Sequence, residues 1–470
     1  MNKVSSSLQS DTICAVSTPF GNGAIAVVRM SGPEAFNICE KIFVPNQKSA
    51  KIKDSVSHSM HFGKILNDDG TLLDEVIVSF FKNPHSYNGE DIIEISCHGS
   101  VFIQEQLLQL IIRNGARAAS PGEFTLRAFI NGKLDLAQAE AVADLISSKT
   151  KSSHKLAMQQ MKGGVSNQIK QLRSQLIEFS SLLELELDFS EEDVEFASRK
   201  KLTTLLIKLN SEVTGLLNSY KLGNVLKSGI PVAIIGKPNV GKSTLLNILL
   251  NEDRAIVSEI PGTTRDAIED IMIIRGVCFR FIDTAGLRET QDFIENIGVE
   301  KTFEKIALAS IILYMVDISE SSIEEITNTI NEFRSRINEE DKKIILVANK
   351  TDKLIESPRG FKELMEYDTI FISAKRRENI HMLTERLVQS VSEGYLNNDG
   401  TIVTNSRHYD ALLHSKESLD SAIIGMQENL SNDLLATHIR SCIYFMGEIT
   451  GEITTDEILD SIFSKFCIGK

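Results

Sequence analysis

The sequence predicts a multidomain protein of mixed α/β and α class: an N-terminal α+β domain, a helical bundle domain, and a doubly wound α/β domain inserted into the helical one. Three observations predict it. Short strand-like runs broken by turn residues fill the first 130 or so positions. A helical apolar period begins near Leu134 and returns after Asn405. Between those stretches, from Ile230 to about Ser392, short apolar runs alternate with helical segments, the pattern of buried parallel strands and their crossovers. The expected boundaries are 1–130, 131–228, 229–395 and 396–470.

In the N-terminal part, Thr12–Ser17 and Ala24–Arg29 are expected strands around a loop with Gly21 and Gly23. His61–Leu66 and Glu75–Phe80 flank the turn Asn67-Asp68-Asp69-Gly70, a hairpin signal, and Ile92–Cys97 is a further strand. The single helix expected here, Val101–Arg113, stops at Asn114-Gly115. Beyond Leu134, the residues Val165, Ile169, Leu172, Leu176, Phe179, Leu183 and Leu187 follow one another at intervals of three or four, a continuous apolar stripe on one helix face. The expected α/β strands are Val232–Ile235, Cys278–Ile282, Ile311–Val316, Ile344–Ala348 and Thr369–Ile372. Leu412, Leu419, Ile423, Met426 and Leu430 then resume helical spacing.

With 470 residues, 42% apolar and 24% charged, the chain has ordinary globular composition. A net charge of −14 argues against a surface wrapped throughout in nucleic acid. No apolar run reaches the 18 residues of a membrane span, and the first 30 residues lack the pattern of a secretory signal. Cys14, Cys39, Cys97, Cys278, Cys442 and Cys467 are scattered, with no C-x-x-C pair, so a reduced, cytoplasmic chain is expected. Lys149, Lys151, Lys155, Lys162, Lys170 and Arg173 form a basic stretch without acids, followed by eight acids over Glu178–Glu195. The stretch is a candidate contact for nucleic-acid phosphates or a protein partner; the plainer reading is that the two faces pair with each other.

Gly236-Lys237-Pro238-Asn239-Val240-Gly241-Lys242-Ser243, followed by Thr244, fits G-x-x-x-x-G-K-S between an apolar strand and a helix over Thr244–Leu250. Its backbone N–H groups would turn toward a phosphate chain, Lys242 would neutralise the β and γ phosphates, and the Ser243 hydroxyl suits Mg²⁺. Downstream, Asp283-Thr284-Ala285-Gly286 ends a strand, with Asp283 placed toward Mg²⁺ and Gly286 toward a γ-phosphate. Asn349-Lys350-Thr351-Asp352 ends another. A carboxylate at Asp352 accepts two hydrogen bonds only from a base with N1–H and an exocyclic N2 amine, which is guanine. Ser373-Ala374-Lys375 offers backbone N–H groups toward guanine O6, and Gly262-Thr263-Thr264 lies where a threonine closes over Mg²⁺. These motifs in this order specify a GTP site. The position after D-x-x-G, where small GTPases keep a water-orienting Gln, is Leu287. Glu289, Asp292 and Glu295 follow closely; the residues alone leave all three open, along with Arg288 as an internal arginine finger.

These motifs, together with Arg127–Asp144 (RAFINGKLDLAQAEAVAD) and the terminus Phe466-Cys467-Ile468-Gly469-Lys470, resemble the tRNA-modifying GTPase family known as MnmE or TrmE over essentially the whole chain. The resemblance implies an N-terminal folate-binding and dimerisation domain, a helical domain, and a Ras-like G domain inserted in it. It implies a homodimer that works with a flavoprotein of the MnmG (GidA) type, as a heterotetramer or larger complex. Together they install a carboxymethylaminomethyl-type group on C5 of the wobble uridine of certain tRNAs. It further implies GTP hydrolysis activated by K⁺ and by pairing of G domains. By family match, K⁺ falls to Asn239, Ser258, Ile260 and Thr263, and Mg²⁺ to Ser243 and Thr264. The GTP contacts extend over Ser258-Glu259-Ile260-Pro261-Gly262-Thr263-Thr264, and the catalytic glutamate is Glu295. A tetrahydrofolate derivative, 5-formyl or methylene, is matched to Arg29, Glu94, Lys133 and Lys470, with the Cys467 thiol near the one-carbon donor. By sequence position alone, Arg29 at a strand end and Lys133 in a loop read as surface residues. The other class the motifs allow is a regulatory or ribosome-assembly GTPase. Such proteins usually carry an RNA-binding module after the G domain; here that segment is helical and ends in F-C-I-G-K.

Overall fold

The computed structural model describes residues 11–46, 52–188, 199–251, 270–282, 307–336, 342–354, 361–395, 401–428 and 430–469. The chain divides into two compact units. The first comprises 1–143, 160–206 and 417–470; the second comprises 144–159 and 207–416.

The first unit is built on a sheet of β1 (Ile13–Val16), β2 (Ile25–Ser31), β3 (Phe43–Pro45), β4 (Ser59–Leu66), β5 (Leu72–Phe81), β6 (Ile92–His98) and β7 (Arg117–Ala118), in the order β3-β4-β5-β6-β2-β1-β7. Every pairing is antiparallel except β1 with β7. Along β6, Ile93, Ile95 and Cys97 are buried while Glu94, Ser96 and His98 turn to the other face. Period-two alternation thus commits one face to a core and leaves the other for polar chemistry. The core face is covered by the helices Ala35–Ile42 and Val101–Arg113, whose Phe36, Ile38, Leu107 and Ile111 pack with Val28, Val78 and Ile95. The β4–β5 turn forms as expected, with the Gly70 N–H donating to Asn67 O at 2.9 Å.

Two expectations are corrected here. The region holds two helices besides Val101–Arg113: Ala35–Ile42 and Glu123–Ile130. Both are short, at eight residues each, so two turns of period were too little for the sequence pattern to register. Arg29 lies inside β2, not at its end, because the strand continues to Ser31.

The apolar stripe from Val165 lies on the helix Gly164–Asp188, with Val165, Ile169, Leu172, Leu176 and Leu183 buried. It packs against the helix Asn432–Thr450, which buries Leu435, Ile439, Cys442, Met446 and Ile449 at the same spacing. The basic and acidic stretches do not pair with each other among the described residues. Lys170 bonds Asp135 at 2.8 Å, Arg173 pairs with Glu452, and Glu184 pairs with Arg440 at 2.9 Å. Lys151, Lys155 and Lys162 are exposed.

The second unit is a sheet of β8 (Ile230–Ile235), β9 (Asp270–Ile274), β10 (Val277–Phe281), β11 (Ile311–Asp317), β12 (Lys343–Asn349) and β13 (Thr369–Phe371), ordered β13-β12-β11-β8-β10-β9. It is parallel except for the edge strand β9, which the sequence reading did not separate from its surroundings. Apolar cores lie on both faces, one around Leu245, Leu249 and Leu383, the other around Ile326, Ile330 and Phe333. This two-sided burial makes β11 apolar along nearly its whole length. The chain enters and leaves this sheet at one place. Tyr220 stacks on Tyr409 with ring centres 4.5 Å apart, Val403 N–H donates to Ser219 Oγ at 3.0 Å, and Leu222 packs on Ile402.

Candidate functional site

The parallel strands β8, β11 and β12 carry their functional loops at their C-terminal ends, the edge where open α/β sheets bind ligands. After β8 the chain makes the turn Gly236–Gly241 and enters the helix Lys242–Asn251. Gly236, Asn239 and Gly241 have φ of +146°, +61° and +106°. A Cβ on Gly236 would strike Met315 O, and one on Gly241 would strike the Asn349 amide. Only glycine at these two positions lets the loop lie this close to β11 and β12. Lys242 Nζ donates to Gly236 O at 2.6 Å and Lys237 O at 2.7 Å, bending its ammonium back over the loop. Ser243 is the second residue of the helix, in the first turn where the backbone amides give positive potential.

The base-side loop is tied to the phosphate loop by one side chain. Asn349, buried at the end of β12, donates from Nδ2 to Val240 O at 2.7 Å and accepts the Ala374 N–H on Oδ1 at 2.9 Å. The Ala374 N–H is therefore engaged by Asn349. Asp352 accepts the Ser373 hydroxyl on Oδ1 at 2.6 Å, and this bond above all holds its carboxyl below the usual carboxylate range. The other oxygen has no protein partner among the described residues, so an ionised, outward acceptor faces the edge. Lys350 has φ +66°, and its ammonium lies 2.6 Å from Asp317 Oδ2. Burial works to raise the Asp317 carboxyl, but Lys350 and Ser319 hold it below its ordinary value. Asp317 was absent from the sequence reading. A charged residue closing an apolar strand at the ligand edge was the available signal. Ser258, Glu259, Ile260, Pro261, Gly262, Thr263, Thr264, Asp283, Thr284, Ala285, Gly286 and Glu295 lie outside the described residues, as does Lys470.

The first unit brings together Arg29, Glu94 and the C-terminal tail. Arg29 and Glu94 are cross-strand partners on β2 and β6. Arg29 donates from Nε at 2.9 Å and from Nη2 at 2.6 Å, both to Glu94 Oε1. Glu94 Oε2 has no protein partner among the described residues. The Gly469 carbonyl accepts from Arg29 Nη1 at 3.4 Å and from the Ser17 hydroxyl at 3.2 Å, and the Gly122 N–H reaches Cys467 O at 3.5 Å. Phe463 and Phe466 anchor the tail in a cluster with Leu136, Ala139 and Val142. Of the six cysteines only Cys467 is exposed. Lys133 Nζ donates to Pro84 O at 2.6 Å, at the start of the loop that joins β5 to β6.

Several residues here were given no role by the sequence reading. Arg127, 2% exposed, bonds Asp11 Oδ1 at 2.6 Å, Glu123 at 3.0 Å and Glu90 at 3.2 Å. Burial pushes the Asp11 and Glu123 carboxyls up, yet the bonds to Arg117 and Arg127 hold both below their ordinary values. Tyr87 places its ring 5.5 Å from the Arg29 guanidinium.

Two family models match the chain, one described as GTP-binding protein TrmE N-terminus over residues 12–133 and one as MnmE helical domain over residues 136–467. Full-length curated relatives align end to end. A protein of Christiangramia forsetii named tRNA modification GTPase MnmE is 50% identical over 474 residues, covering 98% of this chain and 99% of its own. Proteins of the same name from Flavobacterium johnsoniae and Bacteroides fragilis are 51% and 48% identical, each covering 98% of this chain and 100% of the relative. No helix among the described residues is long and apolar enough to cross a membrane. The chain belongs to the MnmE family of tRNA modification GTPases.

Proposed function

We propose that this chain is a K⁺-activated, Mg²⁺-dependent GTPase that, as a cytoplasmic homodimer with an MnmG-type flavoprotein, modifies C5 of the wobble uridine of certain tRNAs. Its one-carbon donor is a tetrahydrofolate derivative. Its working parts are an N-terminal folate-binding domain over 1–130, helical segments over 131–228 and 396–470, and a G domain over 229–395.

The residues fit the groups this requires. The turn leaves no room for a Cβ at Gly236 or Gly241 and so suits a phosphate chain, and the free oxygen of Asp352 suits guanine. Asn239, exposed in the same turn, offers a neutral amide oxygen, a suitable ligand for a weakly held alkali ion. K⁺ bound there supplies positive charge where the leaving phosphate gains negative charge, an arginine finger's contribution of about 10³-fold or more. Ser243 and Thr264 would hold Mg²⁺, and Glu295 would orient the attacking water. The observation that carries the coupling to one-carbon chemistry is the seat of the C-terminal tail: Gly469 bonds Arg29 of the Arg29–Glu94 pair, and the exposed Cys467 lies two residues before it in the chain.

The test is GTP turnover in K⁺ and in Na⁺ at equal ionic strength, with Asn239→Lys and Glu295→Ala alongside. Fast turnover in K⁺ alone, lost in both variants, is expected. Equal slow turnover in both salts sinks the cation mechanism. For the coupled chemistry, Cys467→Ser is expected to keep GTP turnover and lose tRNA modification by the reconstituted complex, read by nucleoside mass spectrometry.

A further inference from the structure

We propose that Tyr87 is the stacking wall of the Arg29–Glu94 site and sets its preference for a flat heteroaromatic ring with an N–H edge; the inference rests on the folate reading above and adds a residue to it. Tyr87 sits on the loop between β5 and β6 and is 36% exposed. A surface tyrosine of this kind is ordinarily free to turn. This one is held at its tip and through its loop. Its hydroxyl pairs with Thr125 Oγ1 at 2.9 Å. The next residue, Asn88, is fully buried; its side chain donates to Ser31 Oγ at 2.8 Å, and its carbonyl accepts from Asn131 at 2.8 Å. Glu90 then accepts from Ser31 at 2.7 Å and from the buried Arg127. The loop is held, yet the ring is left partly uncovered.

What the ring faces gives the ligand chemistry. The Arg29 guanidinium lies 5.5 Å from the Tyr87 ring centre and 5.6 Å from that of Phe124, so it is held by two aromatic rings while two of its nitrogens bond Glu94 Oε1. That leaves Glu94 Oε2 as a carboxylate acceptor beside a guanidinium held between two aromatic rings. A purely apolar ligand would bury that oxygen without a partner, at substantial cost. A phosphate would be repelled by it. A planar ring with adjacent N–H donors satisfies both features, bonding Oε2 along its edge and lying against Tyr87 with its face. The amino-amide edge of a pterin is such a group.

The probe is 5-formyltetrahydrofolate, titrated calorimetrically into the full chain and into Tyr87→Ala, Tyr87→Leu and Tyr87→Phe. Ala and Leu are expected to weaken binding about tenfold, and Phe by about twofold or less, because the π face stays when the hydroxyl goes. GTP turnover and melting of each variant report whether the fold is intact, and Phe against Leu gives the answer even where Ala does not fold. Leu binding as tightly as the native residue overturns the stacking wall and leaves the folate reading standing. Phe as weak as Leu also overturns it, since the hydroxyl and not the ring would then matter. A native chain that binds no reduced folate overturns both readings.

Discussion

Asn349 was read from sequence as the first residue of Asn349-Lys350-Thr351-Asp352, the motif whose Asp352 meets guanine; in the fold it is a tie between the two halves of the nucleotide site. Replacing it with Ala removes both bonds at once and strands the Val240 carbonyl and the Ala374 N–H in a buried setting. A stranded buried backbone group costs about 1–3 kcal/mol, so the pair costs about 2–6 kcal/mol, less whatever an entering water recovers. A loss of about 3 kcal/mol appearing in nucleotide affinity corresponds to roughly 10²-fold. Because the tie fixes the spacing between phosphate loop and base loop, the loss falls on any nucleoside diphosphate. In Asp352→Asn, by contrast, only the base contact changes and preference shifts from guanine toward xanthine. Asn349→Asp is intermediate in design: it keeps the acceptor for Ala374 but sets an oxygen against the Val240 carbonyl, where Nδ2 stood at 2.7 Å. The assay is competitive displacement of a fluorescent GDP analogue by GDP and by XDP, with melting curves for each variant. Asn349→Ala binding GDP within about threefold of the native protein, or losing GDP while gaining XDP, would refute the argument that this side chain acts by spacing the loops.

Other outcomes follow from the first unit. Gly122 has φ +69°, and a Cβ there would stand 2.7 Å from Phe463 O and 3.0 Å from the Phe466 Cβ. Gly122→Ala is therefore expected to cost about 1–3 kcal/mol and to loosen the terminal residues, read as several-fold faster trimming by carboxypeptidase; an unchanged rate contradicts it. Brief maleimide treatment near neutral pH is expected to label one thiol, Cys467, and none in Cys467→Ser. Cys14 and Cys97 are buried, and burial pushes their thiols up to about 12 and about 11; two or more rapidly labelled cysteines would count against the burial pattern. Asp11 and Glu123 titrate below their ordinary values, so the stability they contribute is complete above about pH 4.5 and is lost as pH falls through the lowered values. Arg127→Met removes one of the two guanidinium groups on Glu123 and leaves the Arg117 pair in place, so it is expected to cost about 1–3 kcal/mol near neutrality and to weaken that acid dependence. Melting curves from about pH 3 to 7 check both, and an unaltered acid profile in the variant refutes the assignment.

By itself the sequence determined what depends on near neighbours along the chain. G-x-x-x-x-G-K-S after an apolar strand dictates a backbone turn and a helix start, and the helix Lys242–Asn251 begins within the motif. Asp352 three residues beyond a strand-ending Asn, and a stripe at intervals of three and four through Leu183, are likewise local patterns that report conformation and burial. The helices Ala35–Ile42 and Glu123–Ile130 escaped because two turns hold too few periods to be read. Tertiary structure alone decided the contacts between distant segments. Gly469 meets Arg29 across 440 positions, Asn349 meets Val240 across 109, and Arg127 meets Asp11 across 116. No spacing encodes such meetings. They arise because burying the apolar faces of the sheets and helices fixes where each strand end and loop must lie. A side chain whose near neighbours assign it no role, such as Tyr87 or Arg127, then becomes part of a site through what is packed around it.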